Sequence, residues 1–246
     1  MSGEKIKRMR VFAGPNGSGK STIIKEIQKI YQTGIYINAD DIEKSSKEKG
    51  FVNLGDFNLQ SDTTSFEAYL ENSSLRKKAQ SEGYVIDLKL SNNVIKTGVD
   101  SNSYEAALIT EFLRRLLIIK GETFSFETVM SHPSKLDIFR NAHLAGFKNY
   151  LYFISTESPD INVNRVRQRV EKGGHPVNEQ KIRERYSRSM DLVADMLPFC
   201  HRCFFFDNSG EAYRLIAEIE NNNIIRIETN EIPAWFFTYI LTKFDF

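Results

Sequence analysis

The chain has 246 residues, 33 of them basic and 32 acidic, for a formal net charge of +1. That balance excludes an overall electrostatic pull toward nucleic acid or a membrane surface and leaves room for a local basic patch. With 41% hydrophobic residues and many Phe and Tyr, the length suits one α/β domain with insertions around a sizeable core.

No apolar run approaches the ~18 residues of a membrane span, and no signal peptide opens the sequence. The expectation is a cytoplasmic protein without membrane contact. Cys200 and Cys203 flank His201. Zinc sites need about four ligands and no second pair is near, so these read as ordinary thiols leading into a strand.

The first strand is expected over Arg10–Ala13. Directly after it, Gly14, Pro15, Asn16, Gly17, Ser18, Gly19, Lys20, Ser21 and Thr22 spell GPNGSGKST, the pattern G-x-x-x-x-G-K-S. Glycines let such a loop wrap tightly and turn its N–H groups inward. Lys20 reaches for β- and γ-phosphates, and the Ser21 hydroxyl suits Mg²⁺. The following helix, Ser21–Tyr31, carries the stripe Ile23, Ile24, Ile27, Ile30 and points its positive end at the same phosphates.

A second strand, Ile35–Asn38, leads into Ala39-Asp40-Asp41. Asp40 stands one strand over from the phosphate loop and reads as the base that accepts a hydroxyl proton in phosphoryl transfer. The competing reading is a helix cap, with Asp41 in that part while Asp40 faces the crevice. Lys44 to about Asn102 is polar and reads as an insertion holding one strand-like run, Tyr84–Leu88. Asn102-Ser103-Tyr104-Glu105 then opens a helix whose stripe is Ala107, Leu108, Phe112, Leu116 and Ile119.

A third strand, Thr123–Glu127, ends at Glu127 and Thr128. A carboxylate closing an apolar run is costly to bury without a partner. It suits either substrate hydroxyls and a metal-bound water or a structural bond to the Ser131–Ser134 turn. Then come a helix Ser134–Ala145, a strand Tyr150–Ile154, helices Asn162–Glu171 and Glu179–Met196, and a strand Cys203–Asp207. Strand–helix alternation implies an α/β fold of P-loop NTPase type, a mostly parallel sheet with helices on both faces. Ligands of such sheets bind at the carboxyl ends of the strands.

The two helices after Asn162 are dense in arginine: Arg165, Arg167, Arg169, then Arg183, Arg185 and Arg188, around Gly173-Gly174-His175-Pro176. A Gly-Gly pivot between helices describes a mobile lid whose arginines can neutralise a transferring phosphoryl group and exclude water. The same residues also suit a solvated, salt-bridged helix pair or an RNA-binding face. His175 either locks the pivot or touches substrate. After the last strand, Ala212–Glu220, Asn221-Asn222-Asn223 and Ile224–Thr229 spell a C-terminal β-hairpin. A short helix around Trp235–Leu241 is expected to dock on the body.

The chain resembles the zeta-toxin-like P-loop kinases. The matching pieces are AGPNGSGKST, INADDI, FSFETVMSHPSK, RVRQRVEKGGHPVNEQKIRERYSRS and FFFDNS, in that order between Met9 and Ser209. The resemblance implies a single kinase domain over 1–246, with an insertion at about 44–102, a lid at about 162–190 and a hairpin and helix at about 211–246. It implies ATP and Mg²⁺ as cofactors, and as acceptor a UDP-activated amino sugar such as UDP-N-acetylglucosamine, phosphorylated on a sugar hydroxyl. By motif, Lys20 and Ser21 serve phosphate and metal and Asp40 is the base. Glu127 and Thr128 fall at the substrate-holding motif, and Arg169, Arg185 and Arg188 among the lid arginines. Toxicity in such a family needs an antitoxin partner, for which the chain carries no motif.

Two family patterns are altered. A Gly-Asp-x-x-Arg pattern is replaced by Ala39-Asp40-Asp41-Ile42-Glu43, without the Arg, and Glu-Gly-Thr by Glu127-Thr128. Both changes fall on the acceptor side, so the resemblance fixes the nucleotide and leaves the small-molecule acceptor open. Two rival readings stand beside it: a nucleic-acid hydroxyl kinase or RNA-binding ATPase, and a nucleotide-dependent binding protein without phosphotransfer. The near-neutral charge speaks against nucleic acid.

Overall fold

The computed structural model describes residues 6–98 and 101–243. In chain order the strands and α-helices are β1 (Arg8–Ala13), α1 (Lys20–Ile30), β2 (Ile35–Ile37), α2 (Ala39–Lys49), β3 (Phe51–Asn53), α3 (Thr63–Asn72), α4 (Ser74–Ser81), β4 (Lys89–Ser91), β5 (Val94–Lys96), α5 (Ser103–Lys120), β6 (Phe124–Thr128), α6 (Ser134–Leu144), β7 (Lys148–Ser155), α7 (Pro159–Glu171), α8 (Glu179–Met196), β8 (Arg202–Asp207), β9 (Arg214–Glu220), β10 (Ile224–Ile227) and α9 (Ala234–Tyr239). They fall into two compact units, one taking in the chain up to Gly34 and from Ser125 onward, the other Ile35–Phe124.

The first unit carries a sheet in the order β10-β9-β8-β7-β1-β6. Its centre is parallel: β1 pairs with β7 from Arg8↔Lys148 to Ala13↔Phe153, and β7 with β8 from Tyr150↔Arg202 to Ser155↔Asp207. β7 is buried from Leu151 to Ser155, the continuous burial that a covered parallel strand requires. Antiparallel β9 and β10 extend the edge beyond β8. This is the expected mostly parallel α/β sheet. Because the centre is parallel, Gly14, Thr156 and Asn208 all emerge at the same, carboxyl, edge.

The C-terminal hairpin forms as its asparagines dictate. Asn221 and Asn222 take φ of 49° and 59°, the left-handed pair of a tight hairpin turn. The closing helix α9 docks: Trp235 and Phe236 are buried, and Phe236 stands edge-on to Phe205 at 5.1 Å. Residues 244–246 of the expected C-terminal segment lie outside the described residues. The two cysteines are buried free thiols, and burial pushes the Cys203 thiol well above its ordinary range.

The second unit holds a small antiparallel sheet, β3-β5-β4. Helix α5 supplies its core, with Phe112 against Phe66 and Tyr69 at 4.9 and 5.0 Å. Asn102 caps α5 as expected, its Oδ1 accepting from the N–H groups of Tyr104 and Glu105. Two expectations fail here. Tyr84–Leu88 is not a strand; the chain is irregular there and pairing begins at Lys89. The buried face of α5 runs through Ala106, Leu108, Ile109, Phe112, Leu113 and Leu117. Ile119, placed in the expected stripe, is 72% exposed. Leu116 to Ile119 is apolar all round, so the pattern alone selects no face.

Docking of α9 has a measurable consequence. Phe236→Ala removes a side chain with no exposed surface and should cost about 3–5 kcal/mol. Phe237→Ala, at a residue 58% exposed, should stay within about 0.5 kcal/mol. Urea unfolding of both variants checks this contrast.

Candidate active site

After β1 the chain enters the glycine loop. Gly14, Gly17 and Gly19 have φ of 145°, 77° and 94°, a region that favours glycine. Space gives a second reason. A Cβ on Gly14 would lie 2.0 Å from the Ile154 carbonyl oxygen, one on Gly17 2.6 Å from that of Asn162, and one on Gly19 2.2 Å from Asn208 Nδ2. The loop is therefore wedged against the end of β7, the start of α7 and the residue after β8.

Helix α1 begins at Lys20 with no side-chain cap and no acidic residue in its first turn. Its leading N–H groups and the dipole behind them favour an anion. Lys20 folds back over the loop, its Nζ donating to the carbonyls of Gly14 at 2.9 Å and Pro15 at 3.0 Å. Ser18 is buried and its Oγ has no partner among the described residues. Ser21 and Thr22 lie exposed in the first turn of α1.

Neighbouring elements reach into the loop. Asn162, fully buried, donates from Nδ2 to the Asn16 carbonyl at 2.6 Å. Its own Oδ1 accepts a short bond from the Thr156 hydroxyl. Tyr186 of α8 donates to the Thr156 carbonyl at 2.7 Å. Arg185, one residue before it, donates from NH1 to Asn16 Oδ1 at 3.4 Å. On the other side, Asn208 donates from Nδ2 to the Ser18 carbonyl at 2.8 Å, and its own carbonyl accepts from Arg165 at 2.6 Å.

The arginine-dense helices divide into two sets. Arg165, Arg169 and Arg185 bond to the loops around the site: Arg165 also reaches the Gly210 carbonyl at 3.0 Å, and Arg169 the His175 carbonyl at 2.9 Å. Arg165 and Arg169, with Gln168, Lys172, Gly173 and Gly174, line an open hollow of about 460 Å³. Arg167, Arg183 and Arg188 instead sit in ion pairs with Glu179, with Asp160 and Glu179, and with Glu184. Arg188 is 61% exposed in its pair. The structure thus brings Arg185 to the glycine loop and holds Arg188 on the surface of α8. The helices pack through Val163, Val166 and Ile182, with Val177 added from the link between them.

The remaining candidates lie elsewhere. His175 is exposed in the Gly-Gly turn, where its carbonyl, not its ring, does the bonding. Glu127 and Thr128 end β6 half-buried. The Thr128 hydroxyl accepts from the Met130 N–H at 3.0 Å, and Met130 takes a φ of 56° while buried. Such a left-handed backbone is uncommon for a residue other than glycine or asparagine. Ser189 of α8 donates to the Val129 carbonyl at 2.6 Å in the same turn. Asp40 lies exposed in the first turn of α2, in the second unit. The cap of α2 is Asn38, whose Oδ1 accepts from the Asp40 N–H at 2.8 Å, and not Asp41. Asn is as good a cap as Asp, and Asn38 comes first in the chain.

Sequence reasoning placed Arg165 among the lid arginines and missed Asn162, Thr156, Tyr186 and Asn208 as members of this site. Asn208 had a signal: it follows β8 at the ligand-binding edge of the sheet. Asn162 had none, because an Asn in the first turn of a helix is ordinary.

No protein-family model matches the chain, and no curated protein matches it in sequence. Solved structures match it in fold. The native AvrRxo1-ORF1:-ORF2 complex gives a TM-score of 0.54 at 11% identity, covering 91% of this chain and 61% of that one. The same complex with ATP gives 0.51 at 13% identity and equal coverage. The form with sulphate ions gives 0.51 at 12% identity. This chain therefore spans 61% of the length of the chains it matches. The likeness is one of fold.

Burial raises the Tyr186 phenol from 10.0 to about 12. The folded state holds this proton more tightly than the unfolded chain does. Its contribution is therefore complete below pH 10 and is lost as pH climbs toward 12. Tyr186→Phe should cost about 1–3 kcal/mol at pH 8, by leaving a buried carbonyl short of a donor. The gap to wild type should narrow above pH 10. Urea unfolding at pH 8 and 11 checks it; a gap that holds constant contradicts the assignment.

Proposed function

We propose that this chain is a cytoplasmic, ATP-dependent small-molecule kinase of the zeta-toxin type. It uses Mg²⁺ and moves the γ-phosphoryl of ATP to a hydroxyl of a nucleotide sugar or related metabolite. The observation that carries the reading is the loop Gly14–Thr22. Three of its glycines sit where no Cβ fits, Lys20 lies across it, and the uncapped start of α1 stands behind it. A solved complex of the same fold that contains ATP supports the nucleotide.

The residues fit that ligand. The loop offers main-chain N–H groups, a lysine, and the orphaned Ser18 hydroxyl. Ser21 is the hydroxyl at the start of α1 that would hold Mg²⁺. When bound, ATP and Mg²⁺ supply the phosphoryl group and its counter-charge: a bond forms from the acceptor oxygen to the γ-phosphorus as the bond to the bridging oxygen breaks and ADP departs. Lys20 exchanges its two carbonyl acceptors for phosphate oxygens, a stronger charge-assisted pairing. Arg185 and Arg169 neutralise charge on the transferring group. Asp40 takes the proton from the acceptor hydroxyl, a role assigned from its place after the second strand. Glu127 and Thr128 hold the acceptor. The solved structures of this fold are two-component complexes, which supports a protein partner; in the zeta-toxin reading that partner is an antitoxin.

Two variants test the assignment. Lys20→Ala should abolish ATP turnover. Asp40→Asn should leave ATP affinity within about twofold while transfer falls by roughly 10²–10⁴. Steady-state kinetics beside a binding titration separates these outcomes, and undiminished transfer by Asp40→Asn removes the base assignment.

A further inference from the structure

Asn16 is bonded from two helices at once. Its carbonyl is held by Asn162 of α7 and its side-chain oxygen by Arg185 of α8. The path closes on itself: Asn162 bonds Thr156, Thr156 bonds Tyr186, and Tyr186 adjoins Arg185 on α8. All members except Asn16 and Arg185 are buried, so the circuit is fixed everywhere but at one link. That link, at 3.4 Å, is long for a hydrogen bond and joins a cation to a neutral amide. A phosphate oxygen offers the same guanidinium a charged acceptor, so that both partners of the bond carry charge.

We propose that Asn16 is a positioning residue. Its amide oxygen holds Arg185 beside the phosphate loop as a stand-in for the terminal phosphate, which then displaces it. The Asn162–Thr156–Tyr186 path fixes loop and lid helix to each other, so that the arginine needs little movement to make the exchange. Within a rigid frame this reduces the ordering cost of binding. The circuit favours a nucleotide with a third phosphate over one with two, because the third is what reaches Arg185. This rests on the kinase reading above and adds to it the device that tells ATP from ADP.

The test is a calorimetric titration of ATP and of ADP, each with Mg²⁺, into wild type, Asn16→Ala, Arg185→Ala and the double variant. Asn16 is half-buried on a loop, and thermal melts accompany each titration. Asn16→Ala should reduce the preference for ATP over ADP by about three- to tenfold, with ADP affinity unchanged within about twofold. Arg185→Ala should lose at least as much, and the double variant no more than Arg185→Ala alone. Losses that multiply in the double variant overturn the proposal, as does an ADP affinity that falls with that of ATP. A wild type that binds neither nucleotide overturns the kinase reading itself.

Discussion

Absence of side-chain volume at three glycines is the constraint on which the rest of this site depends. At Gly14, Gly17 and Gly19 the main chain presses against the Ile154 carbonyl, the Asn162 backbone and the Asn208 amide. Close approach lets three separate elements grip the loop, with Asn162 and Asn208 bonding its carbonyls at Asn16 and Ser18. Binding then needs little further ordering of the protein, which is the condition for electrostatic stabilisation to act at full strength.

Charge is arranged locally rather than globally. A chain with a net charge of +1 has no long-range field to offer, yet six arginines crowd two adjacent helices. Three of them are spent in exposed ion pairs with Glu179, Glu184 and Asp160, contacts that contribute little to stability. The other three donate to neutral acceptors in the surrounding loops, the carbonyls of Asn208 and His175 and the side-chain amide of Asn16. Under the proposed function these are the arginines that would exchange such acceptors for phosphate oxygens.

The parts legible in the sequence were those whose physics is local. GPNGSGKST announces itself because its glycines and lysine act within one turn of chain. Asn102 was legible because a cap bonds two and three residues ahead. The face of α5 was misjudged at Leu116–Ile119, where apolar residues surround the helix. The partners that finish the site were illegible for a different reason. Asn162 meets Asn16 across 146 residues and Asn208 meets Ser18 across 190. Such contacts exist only once β7 lies beside β1 and β8 beside β7; nothing in the neighbourhood of Asn162 marks it, and Asn208 is marked only by its place after β8. Ala39–Glu43 and Glu127-Thr128 depart from the zeta-toxin-like patterns that the sequence otherwise resembles, so the resemblance names no acceptor there.

Transfer of a phosphoryl group, not mere holding of a nucleotide, is what makes the proposed enzyme a kinase. Incubating the protein with ATP, Mg²⁺ and a small-molecule extract, then reading the mixture by mass spectrometry, tests it directly. A kinase forms ADP one for one with a metabolite that has gained a phosphoryl group on a hydroxyl. Binding of ATP with no ADP formed, or ADP accompanied only by inorganic phosphate, would contradict it.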